Sequence, residues 1–114
     1  MQINIKGTGM ELTAAIKQYA EEKIRGLEKF FDRIQNADID VWLLSHHHHS
    51  GKIYYAEVNL NVPGQLLRVS RECEDLYKAI DKVRDHLKME LEKMKEKMRR
   101  KDKKVLRGGK EYQE

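Results

Sequence analysis

The sequence predicts an α+β domain with the element order β-α-β-β-β-α, in which a four-stranded sheet carries two helices on one face. Three observations predict this class. Apolar and polar residues alternate in four short segments, as they do on strands that bury one side. In two longer segments, apolar residues recur at steps of three and four, as on helices with one buried face. The chain has 114 residues, which suits one domain.

The four predicted strands span residues 2–6, 38–44, 53–62 and 65–71. Between the last two, Pro63 and Gly64 predict a type II turn, because proline presets φ at the first central position and glycine accepts a positive φ at the second. The sheet face turned away from the helices is expected to carry Asn4, Lys6, Asp40, Trp42, Tyr55, Glu57, Asn59 and Arg68.

The first predicted helix has Thr13 as its N-cap, since the hydroxyl can accept a hydrogen bond from a free backbone N–H. Its apolar face runs from Ile16 to Phe31. Gly26 falls inside this helix, at a cost of about 1 kcal/mol relative to alanine. Two explanations stay open for this glycine: it allows close packing, or it is simply tolerated.

The second predicted helix begins at residue 75 and ends at about residue 103. Its apolar stripe has spacings of 4, 3, 4, 4, 3 and 4 residues and consists of Leu76, Ile80, Val83, Leu87, Leu91, Met94 and Met98. This stripe is longer than a four-stranded sheet is wide, so the end of the helix is expected to project beyond the sheet.

Positive charge is concentrated at the C-terminal end of a chain whose net charge is +4. Residues 1–74 hold nine basic and ten acidic residues, whereas residues 75–114 hold fourteen and nine. The densest stretch, 99–110, has seven basic residues and one acidic residue. This distribution fits a polyanionic partner or a solvated, frayed helix end.

Several functional classes are not expected. There is no apolar run long enough to span a membrane and no secretory signal pattern at the N-terminus. The single cysteine, Cys73, allows no intrachain disulfide and favours a cytoplasmic location and a packing role. No Ser/His/Asp set, phosphate-binding glycine loop or paired-carboxylate motif is present. We therefore expect neither an enzyme nor a cofactor nor a small-molecule substrate.

Four consecutive histidines, His46 to His49, lie in the segment SHHHHSGK between the second and third predicted strands. A purification tag would normally be terminal. A native metal site is not expected, because adjacent side chains in an extended loop point in alternate directions and no further ligand completes the set. Three interpretations stay open: adventitious metal binding, contact of protonated imidazoles with a phosphate, and a tolerant loop.

Motifs at both ends of the chain resemble one family. Residues 74–81, EDLYKAID, match the pattern E-D-M-Y-x-A-I-D/N at the start of its last helix, except that Leu76 stands at the methionine position. Residues 11–13 match E-[IL]-T, and residues 27–30 match L-E-K-[FWY]. In these motifs, over roughly residues 2–100 and without a large gap, the sequence resembles the ribosome hibernation-promoting factors, also called ribosome-associated inhibitor proteins. The resemblance implies their fold, which is similar to double-stranded-RNA-binding modules.

The resemblance implies a protein that occupies the small ribosomal subunit between head and body, where messenger RNA and the A- and P-site transfer RNAs would lie. Such proteins silence translation sterically and protect idle ribosomes. The implied partners are the RNA and proteins of that subunit and a separate modulation factor that helps to pair ribosomes. Residues 1–104 would form the ribosome-binding domain, with 105–114 as a basic and polar tail. The chain is a short family form or the N-terminal domain of a long one.

The resemblance also implies which residues bind RNA. Family positions correspond to Lys17, Lys23, Lys29, Lys93 and Lys97. Three positions that are often basic in relatives carry other residues in this sequence: Gly26, His86 and Met89. We keep His86 in the predicted set and add neighbouring cations that can compensate. The added residues are Arg25, Lys82, Lys88, Arg99 and Arg100.

Two alternatives use other surfaces. In the first, another kind of RNA-binding module stacks bases on Trp42 and Tyr55 of the exposed sheet face, although Asp38, Asp40 and Glu57 oppose it by repelling phosphate. In the second, the projecting helix forms a coiled coil, but its stripe ends at Met98, too early for several free heptads.

Overall fold

The computed structural model describes the backbone of residues 1–44 and 51–113 and the side chains of residues 1–44 and 51–101. The histidine loop, His46 to His49, lies outside these residues. Two helices and four strands follow the predicted order, and the fold class is confirmed. A short 3-10 segment after the first helix was not predicted. The elements are β1 (Gln2–Thr8), α1 (Ala14–Arg25), the 3-10 segment (Gly26–Lys29), β2 (Asn36–Leu44), β3 (Ile53–Val62), β4 (Gln65–Cys73) and α2 (Leu76–Gln113).

The sheet has the strand order β1-β2-β3-β4. Strands β1 and β2 are parallel, and the other two pairs are antiparallel. A parallel pair needs a crossover connection, which α1 provides. The predicted turn at Pro63-Gly64 joins β3 to β4, and Gly64 has φ +82°, as its position in a type II turn requires.

The core lies between the sheet and the two helices. The predicted stripe of α2 is confirmed, because its members from Leu76 to Met94 are buried and Met98 is half-buried. On β3, the alternation is also confirmed, with Ala56, Val58, Leu60 and Val62 buried. Ile3 and Ile5 face the core but are only half-buried, because β1 is an edge strand.

The first helix is shorter than its apolar face. Thr13 is its N-cap, as predicted, and its hydroxyl oxygen accepts a hydrogen bond from the Ile16 N–H at 3.2 Å. The α-helix ends at Arg25, and a 3-10 segment continues from Gly26 to Lys29. Gly26 therefore marks the change of helix type, where its low helix propensity costs least. A Cβ at Gly26 would meet no atom within 4 Å, so close packing does not explain this glycine.

The second helix is longer than predicted. It has 38 residues and ends at Gln113 rather than near residue 103. Its last part contains no proline and many lysines and arginines, which are good helix formers. At 1.5 Å per residue the helix is about 57 Å long, within a molecule whose longest extent is 69 Å. The expected projection beyond the sheet is confirmed, while the division of the chain at residues 104 and 105 stays a prediction.

Within the part of the chain that the structure describes, neither helix combines the length and the apolar character that a membrane span needs.

Candidate RNA-binding surface

The predicted cations of the first helix differ in how far they are engaged within the protein. Lys17 is exposed. The ammonium group of Lys23 lies 3.7 Å from the Asp81 carboxylate of α2 and 5.4 Å from the centre of the Tyr19 ring. Arg25 lies 3.8 Å from Glu28 and donates a hydrogen bond to the carbonyl of Met1. Lys23 and Arg25 therefore help to hold the fold, whereas Lys17 is available to a partner.

Most of the described basic residues of α2 lie on two sides of the helix. We call the side that contacts α1 and the 3-10 segment the α1 flank; its cations are Arg84, Lys88, Lys95 and Arg99. The opposite side, next to β4, is the β4 flank; its basic residues are Lys82, His86, Lys93, Lys97 and Arg100. Spacings of four, seven and four residues, with a further step of three to Arg100 on the β4 flank, place each set along one helical stripe.

Contacts with neighbouring elements define the two flanks. On the α1 flank, Lys88 and Arg84 lie over the Phe30 ring, 4.9 and 5.6 Å from its centre. On the β4 flank, the Lys82 ammonium lies 3.8 Å from the sulfur of Cys73, and His86 contacts Arg71. The eleven predicted residues are therefore not one continuous patch. The structure places Lys29, Lys88 and Arg99 around Phe30. Five others lie on the far side of α2.

Carboxylates neutralise the two flanks to different degrees. On the β4 flank, Lys93 lies 3.7 Å from Glu90, and Arg100 lies 3.5 Å from Glu96. His86 also lies 3.4 Å from Glu90. By contrast, no carboxylate of the described side chains lies within 4.0 Å of Lys29, Lys95 or Arg99. Arg84, also on the α1 flank, lies 2.9 Å from Asp85. Among the described side chains, one cation of the α1 flank and three basic residues of the β4 flank are thus paired, so the α1 flank presents its positive charge to solvent more openly.

Three cations on or beside the α1 flank were missing from the predicted set: Arg84, Lys95 and Arg33. Arg84 lies four residues before Lys88. Lys95 lies seven residues after Lys88 and four before Arg99, so helical spacing alone could have identified it. Arg33 lies between the 3-10 segment and β2, and its guanidinium is 3.8 Å from the sulfur of Met98 on α2. No sequence pattern indicates that neighbourhood, because only the packing of the chain creates it.

A recess of about 460 Å³ opens where the 3-10 segment and the turn after it meet α2. Four cations line it: Lys29, Arg33, Lys95 and Arg99. Three apolar side chains, Phe30, Phe31 and Met98, and two carboxylates, Glu28 and Asp32, complete its wall. The combination of several cations with aromatic side chains suits a phosphate-bearing ligand.

A hydrogen bond between the two helices fixes their cations relative to one another. The Tyr19 hydroxyl donates to the Asp81 carboxylate at 2.6 Å, and the same carboxylate pairs with Lys23. The Tyr19 and Tyr77 rings meet edge to face, 4.8 Å apart. The hydrogen bond to Asp81 is the main cause that raises the pKa of Tyr19 to about 12.

We expect Tyr19→Phe to lower the free energy of unfolding at neutral pH by about 1 kcal/mol, because it removes this hydrogen bond. Since folding raises the pKa of Tyr19 above its usual 10.0, the stabilisation is complete below that pH and is lost as the pH rises towards 12. In the variant, the free energy of unfolding should not show this loss at alkaline pH. Urea unfolding along a pH series measures both effects. Tyr77→Phe is the control, and an equal loss in both variants would contradict the assignment.

The open sheet face has a different character. It carries the eight predicted residues, with Lys6 3.6 Å from Asp40 and Arg68 3.6 Å from Glu57. The Trp42 and Tyr55 rings stack on each other with centres 4.0 Å apart. Its two cations are thus paired, and its aromatic rings already cover one another.

Among the described residues, no group of histidine, cysteine, aspartate or glutamate side chains has the arrangement of a metal site.

Comparisons with known proteins agree with the motifs. The model of the family described as Sigma 54 modulation protein / S30EA ribosomal protein matches residues 3–99. A ribosome hibernation promoting factor of Azotobacter vinelandii is 39% identical over 97 residues, which cover 85% of each chain. The ribosome hibernation promotion factor of Bacillus subtilis is 36% identical over 101 residues, or 89% of this chain. The match spans only 52% of the length of that longer relative.

Comparison with solved structures indicates the same family. The crystal structure of the Thermus thermophilus Protein Y N-terminal domain superposes with a TM-score of 0.72 at 33% sequence identity. The match covers 82% of this chain and 99% of that domain. The resemblance that the motifs at residues 11–13, 27–30 and 74–81 indicated is confirmed, and the chain belongs to the Sigma 54 modulation protein / S30EA ribosomal protein family.

Proposed function

We propose that this protein binds the small ribosomal subunit with its helical face and keeps the ribosome inactive. The proposed place is the messenger RNA channel together with the A- and P-site transfer RNA positions. One observation of the structure supports it most: exposed cations line both flanks of a projecting helix and join those of α1. Relatives named as ribosome hibernation promoting factors support the same function.

The proposed mechanism is steric occupancy. Lysine and arginine side chains displace counterions from RNA phosphates, which gives an affinity that falls steeply with salt. RNA helices are recognised through their shape and backbone more than through base sequence, so side chains on a helix can serve without base-specific contacts. While the protein stays bound, it excludes messenger and transfer RNA from these sites. This mechanism needs no covalent step, cofactor or small-molecule substrate.

The partners follow from the location. The protein would contact the RNA and proteins of the small subunit in the cytoplasm. A separate modulation factor would take part where ribosomes are paired. Since the match spans about half of some relatives, we restrict the proposal to binding and inhibition by the domain described here.

The helical face is preferred to the open sheet face for a physical reason. Phosphate would meet Asp38, Asp40 and Glu57 on the sheet, while Lys6 and Arg68 are already engaged with two of these carboxylates. Trp42 and Tyr55 would have to separate before a base could stack between them. On the helical face, carboxylates such as Glu90 and Glu96 engage some of the cations. Lys29, Lys95 and Arg99, however, have no carboxylate of the described side chains within 4.0 Å.

Sedimentation of purified small subunits with this protein tests the proposal. We expect the protein to sediment with the subunit, and the logarithm of the affinity to fall linearly with the logarithm of the salt concentration. In a purified translation system, the same concentrations should inhibit protein synthesis. Sedimentation that is insensitive to salt, or binding without inhibition, would contradict the mechanism.

A further inference from the structure

The recess between the 3-10 segment and α2 has features beyond a general cationic surface. Building on the proposed function, we propose that it binds one phosphate of the ribosomal RNA together with the unpaired nucleotide that carries it. Arg33 and Lys95 would then be RNA-binding residues, acting with Lys29 and Arg99. The ligand chemistry is that of a nucleotide, a phosphate joined to an aromatic base.

The charge balance of the recess favours an anion. Four cations line it, and they come from two segments more than sixty residues apart in the sequence. Of its two carboxylates, Glu28 lies 3.6 Å from the N-terminal ammonium group and 3.8 Å from Arg25, so other cations already balance it. Asp32 is then the one carboxylate in this lining that remains to balance the charge of the four cations. A bound phosphate would relieve the mutual repulsion of these cations.

The apolar part of the wall favours a base beside the phosphate. Phe30 and Met98 are half-buried and supply apolar surface at the recess. Unpaired bases commonly lie on aromatic side chains, a contact worth about 1–3 kcal/mol per base. Arg33 packs over the Phe31 ring at 5.2 Å and beside Met98, which holds its guanidinium at the recess. Phosphate and base would thus be recognised by neighbouring groups.

The shape of the region favours a polynucleotide over a free nucleotide. A second recess of about 350 Å³ adjoins the first and shares Lys29, Phe30, Lys95 and Arg99 with it. Two carboxylates, Glu92 and Glu96, complete its lining, and Glu96 is paired with Arg100. Beyond it along the helix, Lys88 and Arg84 lie over Phe30. An RNA strand can follow this row of cations from one phosphate to the next, whereas a single nucleotide would use only part of it.

The test compares two double variants that remove the same charge. Arg33→Gln with Lys95→Gln changes the recess, and Lys6→Gln with Arg68→Gln changes the sheet face. In sedimentation with small subunits, we expect the first pair to weaken binding about tenfold and to lower the salt slope by about two. The second pair should change the affinity less than about twofold. Equal effects of the two pairs, or no effect of the first, would overturn the inference.

A solution measurement locates the ligand and identifies its source. The NMR signals of the Phe30 and Phe31 ring protons should shift when hexauridylate is added to the wild-type protein, and much less in the Arg33→Gln, Lys95→Gln variant. Uridine triphosphate should shift them only at far higher concentration. Equal potency of the free nucleotide would overturn the assignment to RNA, and so would unshifted ring signals.

The inference and the proposed function fail in different ways. If the wild-type protein does not sediment with small subunits, the proposed function is wrong. If the wild-type protein sediments and the Arg33→Gln, Lys95→Gln variant sediments equally well, only the recess is wrongly assigned.

Discussion

Replacing Lys93, Lys97, Arg99 and Arg100 with glutamate is expected to weaken binding to the small ribosomal subunit by about 100-fold or more. The same variant should inhibit translation correspondingly less, and its binding should depend less on salt. All four side chains are exposed, on the last turns of α2 whose side chains the structure describes. Each replacement removes an attraction to phosphate and introduces a repulsion, so the effect exceeds that of neutral substitutions.

The four positions should not contribute equally. Lys93 and Arg100 already lie close to Glu90 and Glu96, whereas Lys97 and Arg99 have no described carboxylate within 4.0 Å. We therefore expect Lys97→Glu with Arg99→Glu to account for the larger share of the loss. Lys6→Glu with Arg68→Glu is the matched control, because it reverses one lysine and one arginine on the sheet face. If the fourfold reversal leaves binding intact, the assignment of the helical face is wrong.

The second large effect concerns stability. We expect Leu87→Ala to lower the free energy of unfolding by about 3 kcal/mol. Leu87 is fully buried in the middle of the α2 stripe, so the shorter side chain loses packing contacts and leaves a cavity. Urea unfolding followed by circular dichroism measures the change.

Met89→Ala is the control for this substitution. Met89 lies two residues further along the same helix but is 56% exposed. Its replacement should change the free energy of unfolding by less than about 0.5 kcal/mol. Similar losses in both variants would contradict the placement of the stripe against the sheet.

The sequence predicted most of the fold because each element repeats its pattern over its whole length. Strand β3 has the predicted bounds, and the stripe from Leu76 to Met94 lies in the core. The other three strands are each two residues longer than predicted. Two larger features also escaped prediction. Hydrophobic spacing hardly distinguishes a 3-10 segment from an α-helix over four residues, so the change at Gly26 was missed. The C-terminal end of α2 was missed because its last turns carry no apolar stripe.

The candidate surface was less predictable than the fold. Charge and motif matching identify cations such as Lys88 and Arg99, but they do not show on which side of α2 the first helix packs. That packing divides the basic residues into two flanks. It also brings Arg33 into contact with Met98, which lies 65 positions later in the sequence.

A density map of this protein bound to the small ribosomal subunit tests the central claim most directly. We predict density for α1 and α2 in the cleft between head and body, with Lys29, Lys97 and Arg99 next to RNA phosphates. The sheet face with Trp42 and Tyr55 should point away from the RNA. An empty cleft, or a protein that meets the RNA through its sheet, would contradict the account.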